Sequence, residues 1–178
     1  MLTLLIIDFE QYRNESILAC AILAHHATCL ADTLASELGI LSKSSPFLIT
    51  SLRKVPPGTN GGVTVLGFFW SAIGGILMAI GVLAMDCCSG IKTKPFEMIL
   101  FGGISGLLGS ILDSVLGATV QATFYDEDKK LIYCNKEDAP KSASHICGLD
   151  ILSNAQVNLV SVLLTTIIGG YFIAPATI

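Results

Sequence analysis

Three long stretches of this chain carry almost no charge, and a fourth carries acids among its apolar residues. Residues 62–85 hold no charged side chain at all. At about 1.5 Å per residue this run reaches about 36 Å as a helix, enough to cross a hydrocarbon core of roughly 30 Å with some tilt. Residues 98–124 form a similar run with one charge, Asp113, and residues 157–178 form a third that is uncharged. Residues 17–41 are apolar but contain His25, His26, Asp32 and Glu37. The pattern predicts an all-α, polytopic transmembrane helix bundle of about four spans, read as one domain over 1–178. Connections are predicted at 42–61, 86–97 and 125–153. Residues 1–7 are apolar but too short to span, and no basic residue precedes them, so they read as the tail of a helix rather than a cleavable signal.

The 17–41 run is the marginal one. An acidic residue at the centre of a span costs about 2.5–3.5 kcal/mol to insert, and each Leu or Ile returns about 0.3–0.6. Its nine Leu and Ile residues return about 4 kcal/mol against roughly 5–7 for Asp32 and Glu37. The helix is expected only inside a bundle, with its acids facing protein, water or an ion.

Composition agrees. Hydrophobic residues make up 52% of the 178 and charged residues 13%, where a soluble domain has about 25% charged. A net charge of −4 gives no electrostatic support for nucleic-acid binding. The six cysteines contain no CxxC pair, so neither a zinc site nor a thioredoxin-like motif is offered. Cys134 and Cys147 share one connection and would pair only in an oxidising compartment. Cys87-Cys88 ends a span, where acylation is one reading. With four spans, the first and third connections lie on one side and hold seven Lys/Arg, against Arg13, Lys92 and Lys94 opposite. The positive-inside rule assigns 42–61 and 125–153 to the cytoplasm.

Small residues recur every four positions. Gly67, Ser71 and Gly75 form one row, Gly102, Gly106, Ser110 and Ser114 another, and Gly109, Asp113 and Gly117 a third. Such rows let helices approach closely in lipid and predict a tight bundle.

Candidate chemistry gathers toward one membrane face. Asp32 and Glu37 lie near the end of their span that leads into 42–61. Asp113 approaches the end leading into 125–153, and Asn154 and Asn158 open the last span from that same connection. Asp32 and Glu37 are about 140° apart on a helix, so Asp32 with Asp113 is the better pair for Mg²⁺, which favours one or two carboxylates plus phosphate and water oxygens. Glu37 is a candidate base or orienting group. The turn Gly58, Thr59, Asn60, Gly61, Gly62, with Lys43, Arg53 and Lys54 nearby, is a candidate phosphate cradle at a helix start. It is not a Walker A loop, because no Lys-Ser/Thr follows the glycines. The structural alternative is that Asp32 and Asp113 only bond to polar partners and glue the helices. His25 and His26 read as packed helix residues.

A family resemblance rests on particular residues. They are Asp32-Thr33, Ser36-Glu37-Leu38-Gly39, Val55-Pro56, Gly58-Thr59-Asn60-Gly61-Gly62-Val63-Thr64, Phe101-Gly102-Gly103, Gly106 to Ser110, Asp113-Ser114, Leu116 to Thr119, Gln121, His145-Ile146, Gly148, and Asn154 with Val157-Asn158-Leu159. With these the chain resembles the transmembrane protein 19 family over roughly residues 30–171. Members of that family are longer at the N-terminus, so a shortened member is expected. The resemblance extends to a plant phytyl-phosphate kinase. It implies a Mg²⁺-dependent transferase in which Asp32, Glu37 and Asp113 are catalytic and an isoprenoid phosphate and an NTP are substrates. Under that reading Lys43, Arg53, Lys54, residues 58–62, Asn154 and Asn158 bind phosphate or substrate, and membrane lipid is the surrounding partner. The rival readings are a transporter, with the acids lining a pathway, and a non-catalytic membrane scaffold.

Overall fold

A computed structural model describes the backbone over residues 2–173 and the side chains over residues 16–171. The elements in order are α1 (Leu2–Gly39), β1 (Phe47–Leu48), β2 (Gly62–Val63), α2 (Val65–Ser89), α3 (Pro95–Val120), β3 (Thr123–Asp126), β4 (Leu131–Tyr133), β5 (Ser144–Cys147) and α4 (Asn154–Ile168), with a π-helical turn Gly169–Ile173. Three stretches are long and apolar enough to cross a membrane: Ser16–Gly39, Val65–Ser89 and Pro95–Val120. The fourth expected span, 157–178, is a 15-residue α-helix that opens at Asn154 and runs into the π-helical turn. Residues 174–178 of that span lie outside the described residues.

Local chemistry sets the helix ends. The Thr64 hydroxyl accepts from the Gly67 N–H at 3.0 Å and starts α2, three residues later than hydropathy suggests, because Gly62 and Val63 pair with Leu48 and Phe47. Gly90 closes α2 in the left-handed region, at φ 70°, where glycine carries no Cβ penalty. Pro95 opens α3 at a position whose N–H would be unpaired anyway. A capping box between Ser153 and Gln156 opens α4. Helix α3 ends at Val120, not at 124, because Gln121 is extended and Thr123 and Phe124 enter β3.

The two longer connections are not plain loops. The first folds as an antiparallel β1–β2 pair, and the second as a three-stranded sheet in the order β4-β3-β5. The protein is therefore a helix bundle with a small β layer at one end. Hydropathy averages over such short strands and cannot find them.

The predicted small-residue rows meet at the helix crossings. A Cβ on Gly106 would lie 2.8 Å from the Ser71 carbonyl oxygen, and one on Gly74 would lie 2.7 Å from the Ala31 Cα. Leu23, Ala24, Ala79 and Phe101 form a buried apolar cluster between the helices. A second cluster of Leu48, Val55, Ala118 and Cys147 fastens the β layer to the last turns of α3.

Cys147 and Cys134 are both free thiols, the first buried and the second exposed. Burial pushes the Cys147 thiol up from its ordinary value, against smaller opposite pulls from the Thr123 hydroxyl and Arg53. We predict that a maleimide at pH 7.5 modifies Cys134 at least about tenfold faster than Cys147, because the thiolate is the reactive form. Peptide mass mapping over a labelling time course measures this, and equal rates would mean that β5 does not pack as described.

Candidate functional site

The acids of the first and third helices reach the same depth. Asp32 stands seven residues before the end of α1 at Gly39, and Asp113 seven before the end of α3 at Val120. Each is thus about 10 Å inside its helix end. Both line one cavity of about 530 Å³, with Glu37 at its α1 end. Helix α1 stays regular to Gly39, so Asp32 and Glu37 reach the cavity from different turns.

Asp113 is held from α4. The Ser161 hydroxyl donates to its Oδ2 at 3.1 Å. The Asn158 amide nitrogen, in the orientation that satisfies its neighbours, donates to the same oxygen at 3.1 Å and to the Asn154 carbonyl at 3.0 Å. Asn154 in turn accepts from the Gln121 amide at 3.5 Å. These bonds occupy one carboxylate oxygen of Asp113. Among the described residues no hydrogen-bond donor engages the Asp32 carboxylate.

The 58–62 turn lines the cavity. Gly61 has φ 70°, and a Cβ there would come within 2.5 Å of the Ser114 carbonyl oxygen, so only glycine fits. Asn60 is clamped to the β layer. Its N–H donates to the Thr123 hydroxyl at 3.2 Å, its side-chain amide donates to the Ala122 carbonyl at 3.1 Å, and its carbonyl accepts from the Cys147 thiol at 3.5 Å. The N–H groups of Thr59 and Gly62 are also engaged, by Pro56 and Thr59 carbonyls. Three of the five turn amides are therefore occupied within the protein. Thr64 and Gly67, at the positive end of α2, and Asn154 and Asn158, at the positive end of α4, also line the cavity.

The structure gathers Asp32, Glu37, Asp113, Gly58, Thr59, Asn60, Gly61, Gly62, Asn154 and Asn158 at one cavity. Lys43, Arg53 and Lys54 do not line it. The Arg53 guanidinium donates instead to the Ile146 carbonyl and ties the first connection to β5. Among the described residues the cavity wall contains no Lys, Arg or His. Ser161 and Thr123 take part without having been named from the sequence, and Gln121 and Cys147, named there on other grounds, take part as well. For Ser161 a signal existed, because 154, 158, 161 and 165 form one polar stripe of Asn, Asn, Ser and Thr along an otherwise apolar helix.

No group of three or more His, Cys, Asp or Glu clusters among the described residues. The donors on offer are carboxylate, amide and hydroxyl oxygens. That set suits a hard cation that keeps several waters, such as Mg²⁺, and does not suit zinc.

Residues 1–166 match the family described as integral membrane protein DUF92. The chain belongs to that family. Like the family as a whole it is a multi-pass integral membrane protein, with lipid around its long apolar helices. Among curated DUF92-like relatives, Protein PGR of Arabidopsis thaliana is 36% identical over 165 residues, covering 90% of this chain and 56% of that protein. An uncharacterized membrane protein of Synechocystis is 38% identical over 104 residues, 58% of this chain and 38% of the relative. Another from Methanocaldococcus jannaschii is 37% identical over 92 residues, 52% of this chain and 36% of the relative. The chain thus spans about half the length, or less, of these relatives. No solved structure matches it.

Proposed function

We propose that this chain carries the reaction centre of a membrane-embedded, Mg²⁺-dependent lipid-phosphate kinase that moves a phosphoryl group from an NTP to an isoprenoid monophosphate. One observation carries the reading: among the described residues the cavity wall holds Asp32, Glu37 and Asp113 with no basic side chain. Such a wall repels a phosphate unless a cation accompanies it. The resemblance to the transmembrane protein 19 family and its phytyl-phosphate kinase relative supplies the reaction class, and fold alone would not.

In this reading Asp32 and the second carboxylate oxygen of Asp113 would hold Mg²⁺, which would supply charge neutralisation on the phosphates. Ser161 and Asn158 fix the Asp113 carboxylate, so the site is set before substrate arrives. The nucleotide enters from the cytoplasmic side. The positive ends of α2 and α4 favour its phosphates. Ile40, Val63 and Phe68, which line the same cavity, receive the first carbons of the isoprenoid. An oxygen of the lipid monophosphate bonds to the γ-phosphorus, the bond to the β–γ bridging oxygen breaks, and NDP leaves. Glu37 takes the proton when the attacking phosphate is protonated. Rate enhancement comes from positioning and charge stabilisation.

The test is an assay of the purified chain in lipid nanodiscs with prenyl monophosphates and γ-labelled NTPs. Label should pass to the lipid in Mg²⁺ and stop in excess EDTA. Absence of transfer across the panel, with the fold intact by circular dichroism, would overturn the assignment.

A further inference from the structure

The three basic residues of the first connection are left without a part in the cavity, and the turn that holds two of them is unusual. Residues 49–52 reverse the chain between Leu48 and Arg53, with the Ser51 and Leu52 N–H groups both donating to the Leu48 carbonyl. Leu52 sits in the left-handed region at φ 56° and is 73% exposed. A branched side chain is disfavoured there, and glycine or asparagine would relieve the strain. Among the described residues nothing covers this leucine in return. Arg53 and Lys54, which follow it, and Lys43 before the hairpin are exposed as well.

The depth of the hairpin gives these features a meaning. Leu48 and Val55 pack with Ala118 on the last turns of α3. Gly61, whose carbonyl accepts from the Ile49 N–H, lies against the backbone of Ser114 and Ala118. The hairpin therefore stands beside the end of a membrane-spanning helix, not above it. Val65, which opens α2 two residues after β2, is 75% exposed, so exposed apolar surface reaches the helix end beside the hairpin. An apolar apex flanked by cations at this level matches the headgroup boundary of an anionic bilayer.

We infer that the 49–54 turn is an interfacial anchor, which inserts Leu52 at the headgroup–acyl boundary and sets Lys43 and Lys54 against anionic lipid phosphates. Arg53 braces the turn through its bond to the Ile146 carbonyl. The partner is the bilayer itself, continuous with the lipid around the helices. This assigns the basic residues to the membrane surface and leaves the cavity to the acids.

Hydroxyl-radical footprinting of the wild-type chain tests this without altering the turn. The chain is placed in nanodiscs sized for one copy, made of phosphatidylcholine with or without phosphatidylglycerol. Leu131 is the reference, because it is only 52% exposed yet lies at the far end of β3–β4, opposite Asp126 and away from the helix ends. In anionic discs Leu52 should be modified at least about fivefold less than Leu131, despite its greater exposure in the protein. Equal or greater modification of Leu52 would overturn insertion. Protection that develops only when a second protein is added would also overturn it, in favour of a protein-docking turn. The double variant K43Q/K54Q should raise Leu52 modification about twofold in anionic discs and leave it unchanged in phosphatidylcholine. An unchanged value in both lipids would overturn the part assigned to the two lysines.

Discussion

Under the proposed kinase reading, Asp113→Asn is expected to reduce lipid-phosphate turnover at least about a hundredfold while leaving the fold in place, the scale typical for loss of one preorganised electrostatic group. The physical case lies in how the two carboxylate oxygens differ. Oδ2 receives the Ser161 hydroxyl at 3.1 Å and the Asn158 amide at 3.1 Å. An asparagine carbonyl oxygen at that position accepts both bonds, so α3 and α4 stay joined. Its NH₂ then stands where the second oxygen of Asp113 would meet a cation, and a nitrogen donor cannot ligate Mg²⁺. Initial rates across a Mg²⁺ titration read this out, and circular dichroism checks the fold. Raised Mg²⁺ should not restore the rate. Turnover equal to wild type would remove Asp113 from the chemistry. Ser161→Ala provides the graded comparison. It removes one of two bonds to Oδ2 and leaves the ligand, so a smaller loss of about tenfold is expected.

Gly75→Ala is expected to be the most destabilising small substitution in the bundle. An added Cβ would lie 2.7 Å from the Gly102 carbonyl carbon, with the carbonyl oxygen nearer still. Both are backbone atoms of α3, so no side chain can swing aside. The two helices must separate, and the neighbouring approach of Gly106 to Ser71 loosens with them. Overpacking of this kind costs about 1–3 kcal/mol, occasionally more. In a bundle held by close backbone packing rather than by expulsion of water, little offsets that loss. The internal control is Gly81→Ala on the same helix, where a Cβ meets nothing within 4 Å. There the better helix propensity of alanine should leave stability unchanged or raise it by about 0.5–1 kcal/mol. Thermal unfolding in one detergent, followed by circular dichroism, compares the two. A Gly75→Ala midpoint equal to that of Gly81→Ala would contradict the α2–α3 crossing.

The glycine rows were readable because four-residue spacing on a helix has one geometric meaning. Gly75 meets Gly102 and Gly106 meets Ser71, as a close crossing requires. The convergence of Asp32, Asp113, Asn154 and Asn158 was readable for a related reason. In a chain that crosses a bilayer, position along a helix is depth, and alternating spans return to the same face. The basic residues were misleading because charge near a site in sequence says nothing about direction. Arg53 turns away to Ile146. The turn amides misled in the same way, since three of the five are spent on the protein's own oxygens.

Sequence alone determined that the protein lives in a membrane, that its helices pack closely, and that its acids share one depth. All three follow from hydropathy and helical period, which are local. Only the tertiary structure decided that 42–61 and 125–153 fold into strands, that Asn60 is clamped by Thr123 and Cys147, and that Ser161 holds Asp113. The Asn60 and Ser161 contacts join residues 48 to 87 positions apart, and the strands need partners that hydropathy does not mark, so both depend on how the chain returns to itself.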